Sequence, residues 1–365
     1  MTGSTGFLGV YLLRNLLESG HRIVALVRPP LPGSRQRLFE LLQEIDCDAA
    51  SFENDNQLLL VEGSLPNNLP TESWGPTDAI LNCAASLKLY SNGNGDPFAT
   101  NVSGTRSIIE WAQTHAVPKI FAVSTAYTCG WKRGRIKEAF HLEEPEFQTD
   151  YEKSKWTAEH MLKSWAEQTG GQLTVFRPSF LVGDSQTGYT TQFGGFYQFA
   201  RLVCLLKEQF RDPNNGKLTH VPLRIPGRAE DSQNLVPVDF VARMAVDVID
   251  RPEHHGRIYH LTNPNPPTND LIRRCYEAYF GLTGGYFVDQ DLIERCTPAE
   301  SLLWDQFNVL TPRMSHSPDF EMDNTLKIME KTGESFPHLD HACFARLFEY
   351  AVTHNWGRAG VVAQR

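Results

Sequence analysis

The chain opens on Thr2-Gly3-Ser4-Thr5-Gly6-Phe7-Leu8-Gly9, with glycines at three-residue intervals, and runs at once into an apolar pattern at Leu8, Leu12, Leu13, Leu16 and Leu17 that stops at Gly20. That layout is a glycine turn feeding a helix. Such a turn lets backbone N–H groups approach a pyrophosphate, and the helix N-terminus adds its partial positive charge. Turns of every kind use glycine, so the triplet takes its meaning from the segments after it. The strand-like run Ile23 to Val27 comes directly after the helix and completes half of a mononucleotide-binding unit.

Further strand-like runs at Leu58 to Val61, Ala79 to Cys83, Lys119 to Ser124 and Leu173 to Phe176 have helical patterns between the later ones. This alternation predicts an α/β fold, a Rossmann-like doubly wound parallel sheet with helices on both faces. One part is absent. The strand of about six apolar residues that should lead into the glycine turn has no sequence to occupy it, because Met1 directly precedes Thr2. Either the start is shorter than in related chains, as a misplaced initiation site would make it, or the turn is anchored in another way.

Arg28 follows the strand that ends at Val27. An acidic residue there binds the ribose 2′-hydroxyl of NAD, whereas an arginine pairs with the 2′-phosphate of NADP. Arg28, with Arg35 and Arg37 downstream, therefore points to NADPH; the alternative is a set of solvated loop arginines.

A second feature lies at Thr149-Asp150-Tyr151-Glu152-Lys153-Ser154-Lys155. Thr149 with Glu152 is a capping-box signature, and Ala158, Met161, Leu162 and Trp165 supply an apolar face, so a helix is predicted from here. Tyr151 and Lys155, four residues apart, then share one side of it. An ammonium beside a phenol stabilises the phenolate, which would let the tyrosine work well below its free pKa of about 10. That is carbonyl-reduction chemistry. The spacing by itself also suits a surface pair on an amphipathic helix.

At 365 residues with 41% hydrophobic content, one large core and a smaller second lobe are expected. A formal net charge of -9 without a sustained Lys/Arg run argues against nucleic acid as the partner. The seven cysteines (Cys47, Cys83, Cys129, Cys204, Cys275, Cys296, Cys343) are scattered, with no Cys-x-x-Cys spacing, so neither a disulfide framework nor a zinc site is indicated and a reducing, cytoplasmic location is expected. His220, His254, His255 and His260 lack ligand partners at metal spacing and read as solvated or structural; no metal is expected. No apolar run reaches transmembrane length, the N-terminus lacks a secretion layout, and Val361 to Arg365 carry no readable targeting signal.

Taken together, Thr2 to Gly9, Asn82-Cys83-Ala84-Ala85, Asn101-Val102-Ser103-Gly104-Thr105, Val123-Ser124-Thr125-Ala126-Tyr127, the Tyr151/Lys155 pair and Arg177-Pro178-Ser179 resemble the extended short-chain dehydrogenase/reductase superfamily. Phe7-Leu8-Gly9, Leu26-Val27-Arg28, Val182-Gly183-Asp184-Ser185 with Thr187-Gly188, Asn234 to Asp239 and Tyr259-His260-Leu261-Thr262 resemble its thioester reductase and male-sterility-type fatty acyl reductase group. The resemblance spans residues 2 to 265 and is loose beyond.

It implies that Thr125 hydrogen-bonds the substrate oxygen, Tyr151 donates a proton to it, Lys155 binds the nicotinamide ribose, and Asn101 steadies a helix bend and a relay water. Gly3, Ser4, Thr5, Gly6, Phe7, Leu8 and Gly9, the backbone around Ala84 and Ala85, and Pro178-Ser179 would line the cofactor, with Arg28 and Arg37 at its 2′-phosphate. Ser64, followed by Leu65, stands where relatives carry an aspartate against the adenine, a departure that a serine hydroxyl meets only in part.

The expected division is residues 1–184 and 234–262 for the cofactor domain, including a return strand and helix from Asn234 to Ile249, and residues 185–233 and 263–365 for a smaller, mostly helical substrate lobe. In the lobe, Phe193, Phe196, Tyr197, Phe199, Leu202, Val203, Leu205 and Leu206 are an apolar stretch, read first as helix packing and second as an acyl-binding wall. The implied activity is NADPH-dependent reduction of an acyl thioester, carried on coenzyme A or a phosphopantetheinyl protein, to an aldehyde, from which a second hydride could give the alcohol. The same three side chains also serve a reductase or dehydrogenase of a free carbonyl or alcohol, or a sugar-nucleotide epimerase. From another class, a cofactor sensor or scaffold would keep the fold without turnover.

Overall fold

The structure, a computed structural model, describes residues 1–72, 74–210, 219–289, 296–301 and 318–358. Val361 to Arg365 therefore lie outside the described residues. The chain divides into two compact units, one of Met1–Ser179, Val238–Thr262 and Asp319–Ser335, the other of Phe180–Pro237, Asn263–Pro318 and Phe336–Arg365.

In the first unit, β1 (Ile23–Val27) pairs in parallel with β2 (Leu58–Glu62), Ile23 opposite Leu58. A four-stranded parallel sheet holds β3 (Ile80–Asn82), β4 (Lys119–Val123), β6 (Gln172–Pro178) and β10 (Ile258–Leu261), in the order β10-β6-β4-β3; a short β5 (Arg135–Ile136) lies apart from it. Ile120, Val175, Ile108, Leu162 and Trp165 form its core, each under 5% exposed.

The place of the missing first strand is taken by two residues. Met1 N donates to Val24 O at 2.7 Å and Leu26 N donates to Met1 O at 2.9 Å, which ties them to β1. On the other side Thr2 N donates to Leu81 O at 2.9 Å and Thr2 bridges Asn82 in parallel, which ties them to β3. The glycine turn is thus anchored, and the sheet passes from β1 to β3 through Met1 and Thr2. This is the point where the strand order reverses, the position at which open α/β sheets bind ligands. Helix α1 (Phe7–Glu18) comes after the turn, with Leu12, Leu13, Leu16 and Leu17 all buried, and packs against α7 (Val238–Ile249).

Two expectations about the division change. Residues 319–335, assigned from the sequence to the second lobe, belong to the first unit. There β12 (Asp319–Phe320) pairs with β5, and a helix follows at Asp323–Thr332. The residue before that helix, Met322, offers no side-chain cap; Glu138 caps it instead, its Oε2 accepting from Asn324 N at 2.6 Å. Glu138 Oε1 also accepts from His260 N at 2.8 Å and Thr325 Oγ1 at 3.2 Å. Burial outweighs these donors and pushes the Glu138 carboxyl up to about 7. Hydrogen bonds donated to a distant glutamate leave no periodic mark, which is why the sequence pattern missed this return.

Likewise, β9 (Leu235–Pro237) was expected in the cofactor domain but pairs with β7 (Phe180–Val182) in the second unit, so only α7 returns to the first. The second unit also holds a parallel pair, β8 (Thr219–Pro226) with β11 (Leu282–Val288). Around these lie helices at Phe196–Gln209, Asn269–Phe280 and His341–Thr353. The apolar stretch at 193–206 is mainly core here: Tyr197 and Leu206 are buried, and Phe193, Phe196 and Phe199 pack against the same cluster as Tyr276, Phe344 and Phe348.

Candidate active site

The glycine turn is shaped by what a side chain would strike. Gly3 has φ +74°, and a Cβ on it would fall 2.6 Å from Ala84 N. One on Gly9 would fall 1.9 Å from Gly3 O, so the first turn of α1 lies directly on the turn's own backbone. Gly6 precedes the helix with extended backbone and no side-chain cap, and its N donates to Gly3 O at 2.9 Å. Ser4 is buried, with Oγ 3.5 Å from Leu26 O, and Phe7 and Leu8 are buried as well. A close backbone turn with no room for side chains, opening onto an uncapped helix N-terminus, fits a dinucleotide pyrophosphate.

Thr2 locks this turn to the end of β3. Its hydroxyl donates to Asn82 Oδ1 at 2.7 Å and accepts from Ala84 N at 3.1 Å, which sets Ala84 and Ala85 against the cradle. Across the cradle, Arg28 is exposed just past β1. Arg35 is spent on Glu53, with Nε 3.0 Å from Oε1, and its guanidinium lies 4.1 Å from the Phe39 ring centre. Arg37 is exposed on the helix Leu31–Gln43. Ser64 N donates to Asn68 O at 2.7 Å, closing a tight turn, while Leu65 packs on the core beside Gly104.

Helix α5 (Asp150–Thr169) starts at Thr149, whose Oγ1 accepts from Glu152 N at 3.3 Å; the Glu152 carboxylate reaches Gln148 N at 3.1 Å. Lys155 is 6% exposed, and its Nζ donates to Val123 O at 2.7 Å, the last residue of β4. Burial pushes its ammonium down to about 8.

The expectation that Lys155 would lower the Tyr151 phenol is not met. Burial raises that phenol above its ordinary value, and Glu152 and Cys83 raise it further. The ammonium donates to a backbone carbonyl, and burial of the phenol sets the direction of its shift. The Cys83 thiol, near both groups at the end of β3, is pushed up to about 12 by burial.

Thr125, two residues beyond Lys155's anchor, is buried and caps the turn Ala126–Cys129, its Oγ1 accepting from Tyr127 N at 3.3 Å. The same hydroxyl lies 3.5 Å from Pro178 O, at the end of β6, with Ser179 buried next to it. Asn101 sits in a π-helical bend, Ala99–Ser103. Its Oδ1 accepts from Ser86 N at 2.8 Å, and its Nδ2 donates to Ser86 O at 3.0 Å and Ser154 Oγ at 2.9 Å. Both amide hydrogens are engaged, so a relay water would find only the spare lone pair of Oδ1.

Sequence reasoning missed three residues that build this region. Thr2 ties the turn to β3, Cys83 stands beside Tyr151 and Lys155, and Ser154 links Asn101 to the Tyr151 carbonyl, which it meets at 2.7 Å. Cys83 had a signal, since it directly precedes Ala84 and Ala85 at a strand end. One turn beyond Lys155, Glu159 forms a buried two-point pair with Arg177 of β6, at 2.9 and 2.6 Å. Removing one partner of such a pair costs about 3–5 kcal/mol. His260 donates from Nδ1 to Glu321 O at 2.7 Å and turns its other nitrogen to Arg177, and burial pushes the ring down to about 3. Among the described residues, no group of three or more His, Cys, Asp or Glu is arranged to hold a metal ion. No described helix is long and apolar enough to cross a membrane.

Comparison with known proteins agrees with this layout. The terminal R domain from the myxalamid PKS-NRPS biosynthetic pathway superposes with a TM-score of 0.78 at 25% identity, covering 99% of this chain and 91% of that one. A subunit of the linear gramicidin synthase of Brevibacillus parabrevis is 28% identical, over 96% of this chain and 7% of that protein. L-2-aminoadipate reductase of Schizosaccharomyces pombe (strain 972 / ATCC 24843) is 25% identical, over 96% of this chain and 25% of that protein. The chain thus spans a quarter or less of the length of these two relatives. The profile of the family described as male sterility protein matches residues 1–245. With its glycine cradle, parallel sheet and tyrosine–lysine helix in the expected order, the chain belongs to the male sterility protein family of NAD(P)-binding proteins, within the extended short-chain dehydrogenase/reductase superfamily.

Proposed function

We propose that the chain is an NADPH-dependent reductase of acyl thioesters, carried on coenzyme A or a phosphopantetheinyl protein, that releases an aldehyde. The observation that carries this reading is the 2.7 Å bond from Lys155 Nζ to Val123 O. It ties Lys155, and with it the first turns of α5, to the carboxyl end of β4, two residues before Thr125, which supports a reducing site at these strand ends.

Gly3 to Gly9 and the start of α1 would hold the pyrophosphate, and Ser64 and Leu65 would flank the adenine. Arg28 and Arg37 would meet the 2′-phosphate, and Ala84, Ala85, Pro178 and Ser179 would line the nicotinamide half. Bound there, NADPH supplies the hydride. Thr125 and Tyr151 donate hydrogen bonds to the thioester oxygen as negative charge develops on it. Tyr151 then gives up its phenolic proton, giving a hemithioacetal. Collapse of that adduct breaks the carbon–sulfur bond, and the thiol leaves with a proton. Burial keeps Tyr151 protonated until that moment, and the Lys155 ammonium offsets the charge the phenol acquires. Asn101 acts as a positioning residue, joining Ser86 to α5.

The relatives support a substrate at the acid level. 2-Aminoadipate offers a reductase only carboxyl carbons, and a carboxylate must be activated before it accepts hydride. The seven free cysteines agree with a reducing compartment, and we place the protein in the cytoplasm. The test is to supply NADPH with a panel of acyl-coenzyme A esters, free aldehydes and ketones and monitor nicotinamide oxidation. Turnover of thioesters is expected; turnover confined to free carbonyls would overturn the assignment.

Two further outcomes rest on the charged groups. Arg28→Ala should weaken NADPH by about 10- to 100-fold, the loss of one charge-assisted hydrogen bond of about 1.5–3 kcal/mol, and NADH by less than about twofold. Equal losses in equilibrium titrations of the two nucleotides would remove Arg28 from the 2′-phosphate. The Lys155 ammonium is present below about 8 and is lost as pH rises through that value. Initial turnover of an acyl-coenzyme A ester, corrected for its hydrolysis without protein, should therefore decline above pH about 8. A rate that holds level to pH about 10 would contradict the role given to that charge.

A further inference from the structure

The loop from Ala84 to Ser91 is held at three points. Asn101 grips Ser86 on both backbone atoms, Leu89 O accepts from Tyr151 N at 3.2 Å, and Ser91 N and Oγ both donate to Asp150 Oδ2, at 2.8 and 2.6 Å. The loop therefore runs along Tyr151. Cys83, just before it, lies near the phenol, and Leu89 sits on that residue's amide. Yet Leu87 is 52%, Leu89 37% and Tyr90 50% exposed. Single exposed apolar residues are ordinary. Three within four positions, with the exposed Lys88 among them, on a clamped loop beside Tyr151, offer apolar surface that an apolar ligand would cover.

We propose that this loop is the acyl-binding wall, with Leu87, Leu89 and Tyr90 packing against the aliphatic chain while the thioester carbonyl faces Tyr151. The proposal rests on the thioester-reductase reading and adds that the acyl group, more than the carrier, is recognised here. The carrier's arm is rich in amides, and of these three side chains only the Tyr90 phenol could accept its N–H groups. The other apolar stretch that the sequence offered as a wall, around Phe196, is largely taken up in the core of the second unit.

The test is calorimetric titration of the full chain with S-alkyl coenzyme A thioethers of increasing chain length, which bind without being reduced. Affinity should rise by about twofold or more per added methylene, within what burial of a methylene supplies. In Leu87→Ser/Tyr90→Ser the gradient should fall below about 1.5-fold per methylene, while the S-methyl thioether binds as before. Leu87→Ala, a milder change at the same exposed site, should lower the gradient part of the way. A flat gradient in the wild-type chain, or an unchanged one in the variants, overturns the wall. Thioester turnover is scored separately: turnover with a flat gradient sinks the wall and keeps the reductase, and a gradient without turnover does the reverse.

Discussion

Tyr151→Phe should lower turnover of every reducible substrate by about 10²- to 10⁴-fold, the range expected for removing a positioned proton donor, while nucleotide affinity stays within about twofold of wild type. The ring itself remains, and the backbone bond from residue 151 to Leu89 O does not depend on the hydroxyl. Lys155 keeps its 2.7 Å bond to Val123 O for the same reason. What is lost is one proton, held on a phenol that burial keeps protonated until negative charge appears beside it. A variant that turns over at the wild-type rate would show that a group other than the Tyr151 phenol delivers the proton.

Gly9→Ala is the second large effect, and it acts on the cradle. A methyl there would sit 1.9 Å from Gly3 O, which is backbone and cannot swing aside as a side-chain tip would. Helix α1 or the turn must move, and either shift displaces the amides that face the pyrophosphate. We expect a stability loss of about 3 kcal/mol or more, at the upper end of overpacking, and nucleotide binding too weak to titrate. Gly33→Ala is the control, because a Cβ there meets nothing within 4 Å and the residue lies inside the helix Leu31–Gln43. It should stabilise by up to about 1 kcal/mol through helix propensity. Thermal melts and nucleotide titration of both variants decide the matter, and a well-folded Gly9→Ala that still binds NADPH would overturn the cradle's role.

Much of this architecture was legible because it is written in runs. The glycine turn, the helix through Leu12, Leu13, Leu16 and Leu17, and strands such as Ile23–Val27 and Lys119–Val123 repeat a pattern long enough to count. The Thr149 cap and the common side of Tyr151 and Lys155 come from helix geometry alone. What was not legible is carried by single contacts. The two residues that stand in the strand's place, Met1 and Thr2, have no period. The return of residues 319–335 to the first unit is carried by a two-residue strand pairing and by single contacts such as Glu138, which caps a helix far along the chain. The direction of the Tyr151 shift differs from the expectation because spacing places the ammonium on the phenol's side of the helix but cannot show the burial that raises the phenol. Cys83 was visible as a residue of a motif, yet only the fold brings it beside both groups.

The most direct measurement is a stoichiometry: incubate the chain with NADPH and an acyl-coenzyme A ester, and count nicotinamide oxidised, free thiol released and aldehyde formed. The account predicts one thiol for each aldehyde or alcohol formed, with one NADPH consumed per aldehyde and two per alcohol. NADPH oxidation with no thiol released, or thiol released with no NADPH consumed, would contradict it.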